Sequence, residues 1–181
     1  MKKLIIICIA VIVTLPLNAQ FTRAALQATG LTCAMCSNAI NKALQAIPFV
    51  ASVKPDIKNS AFEIVFKQNA DVDIDQLKKA VEDAGFAIGS LKITGRFNDL
   101  AIAKNKHVQI GNKQFHFLVA TDAVLTGERT LTVVDKDFLT AKQFKKISAS
   151  TEMSCLQTGR AAGCCVKDGI TSGTRIYHVT I

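Results

Sequence analysis

The chain has 181 residues, 22 Lys and Arg against 14 Asp and Glu, a formal net charge of +8, and 49% hydrophobic residues with no Trp. That length suits one ordinary domain or two small ones, and scattered charges without aromatic interleaving offer no basic stripe for nucleic acid. The excess is uneven: residues 20–94 carry 8 basic and 7 acidic side chains, residues 95–181 carry 12 and 7, which reads as a solvated basic face on the second half.

Met1-Lys2-Lys3, an apolar run from Leu4 to Leu17 and the small-residue stretch Asn18-Ala19-Gln20 open the chain. They predict a secretory signal over residues 1–19, removed after Ala19. The run is 14 residues long and closed by Pro16 and Asn18, short of the roughly 18 that a spanning helix needs. An uncleaved anchor is the competing reading; with the signal removed, no integral membrane span is expected, and the protein is periplasmic or secreted. Cys8 lies inside the apolar run, which argues against a lipid-anchored cysteine. Export leaves five cysteines, Cys33, Cys36, Cys155, Cys164 and Cys165, in an oxidising compartment. An odd number cannot pair completely within one chain.

From Arg23 to Thr94 the pattern reads strand, helix, strand, strand, helix, strand. Ala24 to Leu31 is the first strand. The helix that starts near Cys33 places Cys36, Ile40, Ala43, Leu44 and Ile47 on one face, and Pro48 ends it. Val50 to Ile57 and Ala61 to Phe66 read as strands around the turn Lys58-Asn59-Ser60, with Phe62, Ile64 and Phe66 on the buried face. Asp73, with Gln76 three residues on, gives a start signal for a second helix whose inner stripe is Leu77, Ala80, Val81 and Ala84. Gly85 stops it and Phe86 to Ile93 is the last strand. The acidic alternation from Asp71 to Asp75 superficially suggests a calcium loop, but Gln76 stands where that loop needs Gly, so the segment reads as a helix start.

Gly30-Leu31-Thr32-Cys33-Ala34-Met35-Cys36 is the segment that carries chemistry. Two thiols three residues apart at a helix N-terminus are biased toward thiolate. Such a pair can grip one soft ion or cycle as dithiol and disulfide. The motif, the element order and Gly85-Phe86 together resemble the heavy-metal-associated domain of copper chaperones, copper-ATPase N-termini and the periplasmic mercury-binding protein, over residues 23–94. The resemblance implies a ferredoxin-like βαββαβ sandwich that binds a soft ion through Cys33 and Cys36. It also implies supporting roles for Leu31, where members usually have Met beneath the metal loop, and for Phe86, where they often carry Tyr or Lys. Thr32 before the first cysteine leaves no adjacent carboxylate, which ranks Zn(II) below Cu(I); Hg(II) belongs to a resistance setting. Met35 is not counted as a ligand.

Residues 95–181 have a different texture, with Gly95-Arg96-Phe97-Asn98-Asp99 read as a junction. His107 to Ile110 and Gln114 to Thr121 flank Gly111-Asn112-Lys113 as a hairpin. Arg129 to Asp135 and Arg175 to Ile181 are further strands, and Asp137 to Ser148 a short helix. The expectation is a small β-rich domain with an OB-like barrel as one topology, giving an α+β protein of a signal (1–19), a metal-binding domain (20–94) and a second domain (95–181). Cys155, Cys164 and Cys165 lie in a Gly-containing segment. They read as a disulfide staple, as a second soft-metal site aided by Met153 or a histidine, or as thiols that exchange with Cys33 and Cys36. His107, His116 and His178, one in each of three strands, read as surface or hydrogen-bonded residues.

No GxSxG, HExxH or Walker glycine loop is present, and catalysis is not required. The reading is an exported carrier of Cu(I), or of Hg(II), that passes its ion by thiolate exchange to a membrane transporter or efflux component. A periplasmic thiol-disulfide oxidoreductase is the alternative, although the chain lacks Trp and its last proline is Pro55, so a thioredoxin-type substrate loop is missing. An envelope interaction module is the third.

Overall fold

The computed structural model describes residues 20–31, 34–104, 106–118, 121–149, 151 and 153–181. The predicted signal, Thr32 and Cys33 lie outside the described residues.

β1 (Gln20–Thr29) pairs antiparallel with β3 (Ala61–Phe66) on one side and β4 (Ala87–Ile102) on the other, and β2 (Val50–Asp56) lies outside β3. α1 (Ala34–Gln45) connects β1 to β2 and α2 (Ile74–Asp83) connects β3 to β4. The order β2-β3-β1-β4 with two crossing helices is the ferredoxin-like arrangement expected from the sequence. Its causes are local. Phe62, Ile64 and Phe66 are buried while Glu63, Val65 and Lys67 are exposed, the two-residue period of a sheet with one covered face. Ile40 and Leu44 of α1 and Ile74, Leu77 and Val81 of α2 form the stripes that cover it. Asp73 accepts hydrogen bonds from the backbone N–H groups of Asp75 and Gln76 at the start of α2. Asp71 is held by Asn112 and Lys113.

The expected junction is instead the middle of a strand. β4 runs 16 residues, through Gly95 to Ile102, and pairs with β7 (Ala123–Val133) from Leu91↔Val133 to Ile102↔Ala123. Gly95 was a misleading signal, because a packing demand put glycine there. A Cβ at that position would lie 3.0 Å from the Phe21 ring and 3.1 Å from the Gln20 carbonyl oxygen. The absent side chain lets Phe21 cross the strand beside fully buried Phe97.

The remaining strands extend the same sheet and do not form a separate barrel. β8 (Ile176–Thr180) pairs antiparallel with β7 and parallel with β6 (Lys113–Phe117), and β5 (His107–Ile110) forms the edge. The eight-stranded order is β2-β3-β1-β4-β7-β8-β6-β5. Alternation along β6 and β8 sends Phe115, Phe117, Tyr177 and Val179 into the core that also contains Phe21, Leu91 and Phe97. A 3-10 turn (Lys136–Phe138) adds Phe138 to that core beside α2, and the opposite face is covered by α3 (Ala141–Ser148), α4 (Cys155–Thr158) and α5 (Gly163–Val166). There Phe144 and Leu156 pack on Leu118 and Val134, and Ile176 packs with Cys155 and Cys165.

One cation fastens the halves together. Arg175 Nε and Nη2 donate to both carboxylate oxygens of Asp75 on α2, at 2.8 and 3.0 Å. Its Nη2 also lies 2.9 Å from Asp135 Oδ2, and its guanidinium sits 4.2 Å over the Tyr177 ring. Gly159, the left-handed cap of α4 at φ +65°, leaves the space that Arg175 fills: a Cβ there would meet Nη1 at 2.6 Å.

Candidate metal sites

At the first site, Cys36 sits half-buried in the first turn of α1, a turn with no acidic side chain. No carboxylate on that turn competes with the partial positive charge of the helix N-terminus beside Cys36. Met35 is 83% exposed, so this turn faces solvent and its thioether points away from the protein. Leu31 and Phe86 both pack against the main core, which places a firm apolar floor beside the loop.

The second site lies on the other face of the sheet. Cys155, Cys164 and Cys165 are brought together, each offering a sulfur within 4.8 Å of the others. Cys164 and Cys165 Sγ are 3.5 Å apart. All three are free thiols, so the predicted loop staple is not made in this structure. Cys155 and Cys165 are fully buried, and Cys164 is half-buried beside the Ser154 hydroxyl at 3.4 Å. Burial pushes the Cys155 and Cys165 thiols up from their ordinary range. At Cys164 the upward push of burial is outweighed by hydrogen bonds from Ser154 and the Cys155 backbone, which bring it down to about 7.

The histidines are neither at the surface nor dispersed. The side chain of His107 is 1% exposed and those of His116 and His178 are fully buried. His107 pairs with His116 across β5 and β6, and His116 pairs with His178 across β6 and β8, making a row across three strands. Ring centroids are 4.7 and 5.3 Å apart along the row. Carboxylates hold the two ends: Asp168 lies 2.7 Å from His107 Nδ1, and Asp135 lies 2.6 Å from His178 Nδ1. The inward atoms are then the two Nε2. That of His178 is 3.3 Å from Cys155 Sγ. That of His107, and both ring nitrogens of His116, are buried with no hydrogen-bond partner among the described residues. His107, His116 and Cys155 each offer a donor atom within 4.8 Å of the others. Burial, reinforced by His178 and His107, pushes His116 down to about 3, so its ring is neutral at ordinary pH.

The hairpin contained a signal for part of this cluster. A two-residue turn at Gly111-Asn112 sets Ile110 opposite Lys113 and therefore His107 opposite His116. Placing Lys113 in the turn hid that pairing. Nothing in the local pattern marks Asp135, Asp168 or His178 as their neighbours.

Comparison with known proteins bears on the first half. The family model described as heavy-metal-associated domain matches residues 25–87. Over 59 residues the chain is 30% identical to the copper chaperone CopZ of Staphylococcus haemolyticus, covering 33% of this chain and 85% of that protein. Over 65 residues it is 34% identical to the probable copper-transporting ATPase HMA5 of Arabidopsis thaliana, covering 36% of this chain and 6% of the ATPase. A solved CopZ metallochaperone structure aligns at 27% identity over 37% of this chain and 98% of that one, with a TM-score of 0.34.

Proposed function

This chain belongs to the heavy-metal-associated domain family, and on that premise we propose that it is an exported carrier of a soft metal ion, Cu(I) first, held between Cys33 and Cys36. The observation that carries the reading is the family match over residues 25–87, a span that contains Cys33 and Cys36. The chemistry agrees with it. Two thiolates at a solvent-facing helix start bind a d10 ion with low coordination number and favour Cu(I) or Hg(II) over Mg(II) or Ca(II). A helix start that faces solvent leaves room for a partner's thiolate to bond to the ion and form a three-coordinate intermediate; one original sulfur then releases the ion, a second partner thiolate takes its place, and the ion leaves when the other original sulfur lets go. The acceptor in this reading is a membrane transporter or efflux component. Residues 20–94 are the carrier unit, and residues 95–181 a second unit built onto its sheet.

The test is Cu(I) binding by the reduced protein under anaerobic competition with a chromophoric chelator, beside a Cys33→Ser/Cys36→Ser variant. The carrier reading expects the variant to lose one tight equivalent relative to the parent. Equal stoichiometry and affinity in the two proteins would overturn it. Export is checked separately by sequencing the N-terminus of the protein recovered from the periplasm or medium, with Gln20 expected first.

A further inference from the structure

We infer that the second half carries its own metal site, in which His107, His116 and Cys155, flanked by His178 and Cys165, hold a borderline transition-metal ion, copper or zinc. The inference does not depend on Cys33 and Cys36.

It begins with groups that folding has left unsatisfied. A buried polar atom without a partner loses its solvation without compensation, and such atoms are rare in native proteins. Here both nitrogens of His116 and Nε2 of His107 are in that condition, and one donor atom from each ring lies within 4.8 Å of the other and of a buried thiol. One nitrogen from each ring and the sulfur beside them are accounted for together if one ion accepts their lone pairs, with the other nitrogen of His116 keeping its proton.

The outer groups fit the same assignment. Metal-bound imidazoles characteristically give their second N–H to a carboxylate, which fixes the ring and raises its basicity. Asp168 on His107 and Asp135 on His178 are so placed. Asp135 is itself held by Arg175, which is anchored on Asp75. With metal–nitrogen bonds of about 2.0–2.1 Å and metal–sulfur bonds of about 2.3 Å, tetrahedral donors sit roughly 3.3–3.8 Å apart. The donor atoms of His107, His116 and Cys155 lie within 4.8 Å of one another, so a small inward shift closes them on an ion. The flanking His178 Nε2 is already 3.3 Å from Cys155 Sγ.

The donor set selects the ion. Imidazole with thiolate suits copper and zinc, whereas Mg(II), Ca(II) and Mn(II) need oxygen, and both carboxylates here are committed behind imidazoles. Binding needs no oxidant or reductant. The ion forms a bond to Cys155 Sγ, the S–H bond breaks, its proton goes to solvent, and the oxidation state of the metal is unchanged. Cys164, half-buried beside Cys165, gives an incoming ion a first sulfur at the edge of the cluster.

The test uses the full chain with Cys33→Ser/Cys36→Ser, reduced and titrated anaerobically with Cu(I), Zn(II) and, as a spectroscopic probe, Co(II). One equivalent of copper or zinc is expected to remain bound, and the tighter of the two identifies the ion. Co(II) is expected to give a sulfur-to-cobalt charge-transfer band that disappears on adding Cys155→Ser. X-ray absorption of the loaded protein should show imidazole nitrogen and sulfur together in the first shell. His107→Gln and His116→Gln should each weaken binding, and Asp168→Asn should weaken it by about 10–100-fold, with the circular dichroism of each variant retained. Absence of a bound equivalent with all three ions would overturn the proposal. So would a sulfur-only shell, which would mean a trithiolate site of Cys155, Cys164 and Cys165. Should His116→Gln fail to fold, the absorption spectrum and His107→Gln still decide.

Discussion

The two halves share one sheet, and they put the same donor atom in opposite surroundings. In the first, Cys36 stands at the solvent-facing start of α1 next to a Met35 that is 83% exposed. In the second, Cys155 and Cys165 are fully buried beneath β6 and β8, against imidazoles that are themselves buried. Ligand exchange requires an incoming thiol to reach the metal before an outgoing one leaves. A site at a solvent-facing turn permits that, whereas a buried cluster must open first and would exchange an ion slowly. Burial, more than donor type, divides a site suited to transfer from one suited to retention.

What could break this comparison is independence of the halves. β4 belongs to both, pairing with β1 on one edge and β7 on the other. Phe97, fully buried in the single core that both halves share, is therefore the most sensitive position. Phe97→Ala should cost about 3–5 kcal/mol and should lower the denaturant midpoint of both halves together. The measurement is urea unfolding followed by Tyr177 fluorescence for the second half and by hydrogen exchange of β2 and β3 amides for the first. Separate transitions would show that the shared strand does not couple them.

Arg175→Ala comes next. It leaves Asp135, only 5% exposed, without its cation and removes both bonds to Asp75. Breaking a buried pair by deleting one partner costs about 3–5 kcal/mol, and the partial exposure of Arg175 puts the expectation at the lower end, about 3 kcal/mol. Because Asp135 orients His178, the same variant should disturb the histidine row, visible as a shift of the His178 imidazole resonances. A stability loss with unmoved His178 resonances would show that Asp135 holds that ring unaided.

How much of this was legible in the sequence follows from the range of the forces involved. The βαββαβ order was readable because each element is signalled within its own residues: alternation at Phe62, Ile64 and Phe66, the cap at Asp73, the stop at Gly85. The strand beyond Gly95 was not, because that glycine answers to Phe21, 74 positions earlier, and looks locally like a turn. The three C-terminal cysteines were expected to be close and are. Reading the histidines singly as surface or hydrogen-bonded residues fits the carboxylate bonds of His107 and His178 but misses their row, which lies in register: His107 and His116 meet through the hairpin, and His178 arrives by a parallel pairing of β8 with β6 that no nearby residue announces. Two four-residue helices, α4 and α5, are too short to show a helical period.

A smaller, pH-dependent effect sharpens the role of Asp75. Burial pushes its carboxyl up, but the hydrogen bonds and charge of Arg175 outweigh this and hold it below the usual carboxylate range. The folded form then binds its proton less readily than the unfolded one. The contribution is fully present above the ordinary carboxylate value near 4 and is lost as pH falls through the lower folded value. The stability difference between parent and Asp75→Asn should be constant above about pH 5 and should shrink below about pH 4, measured by urea unfolding across that range. A difference that persists unchanged to acid pH would mean that the shape of the side chain, and not its charge, holds Arg175.

The smallest effect is expected where the drawing of the structure suggests a large one. Arg23 Nη2 lies 2.6 Å from Glu128 Oε1, joining β1 to β7 over β4, the strand the halves share. Both side chains are about half exposed, at 53% and 47%. A pair in water gains little Coulomb energy, orders two long side chains and is screened by salt. Glu128→Gln should therefore change stability by about 0–1 kcal/mol, and by less still at high ionic strength, as measured by thermal unfolding in low and high salt. A loss comparable to that of Arg175→Ala would mean that the halves are held across β4 at the surface, and that the buried joint at Phe97 and Arg175 is not what couples them.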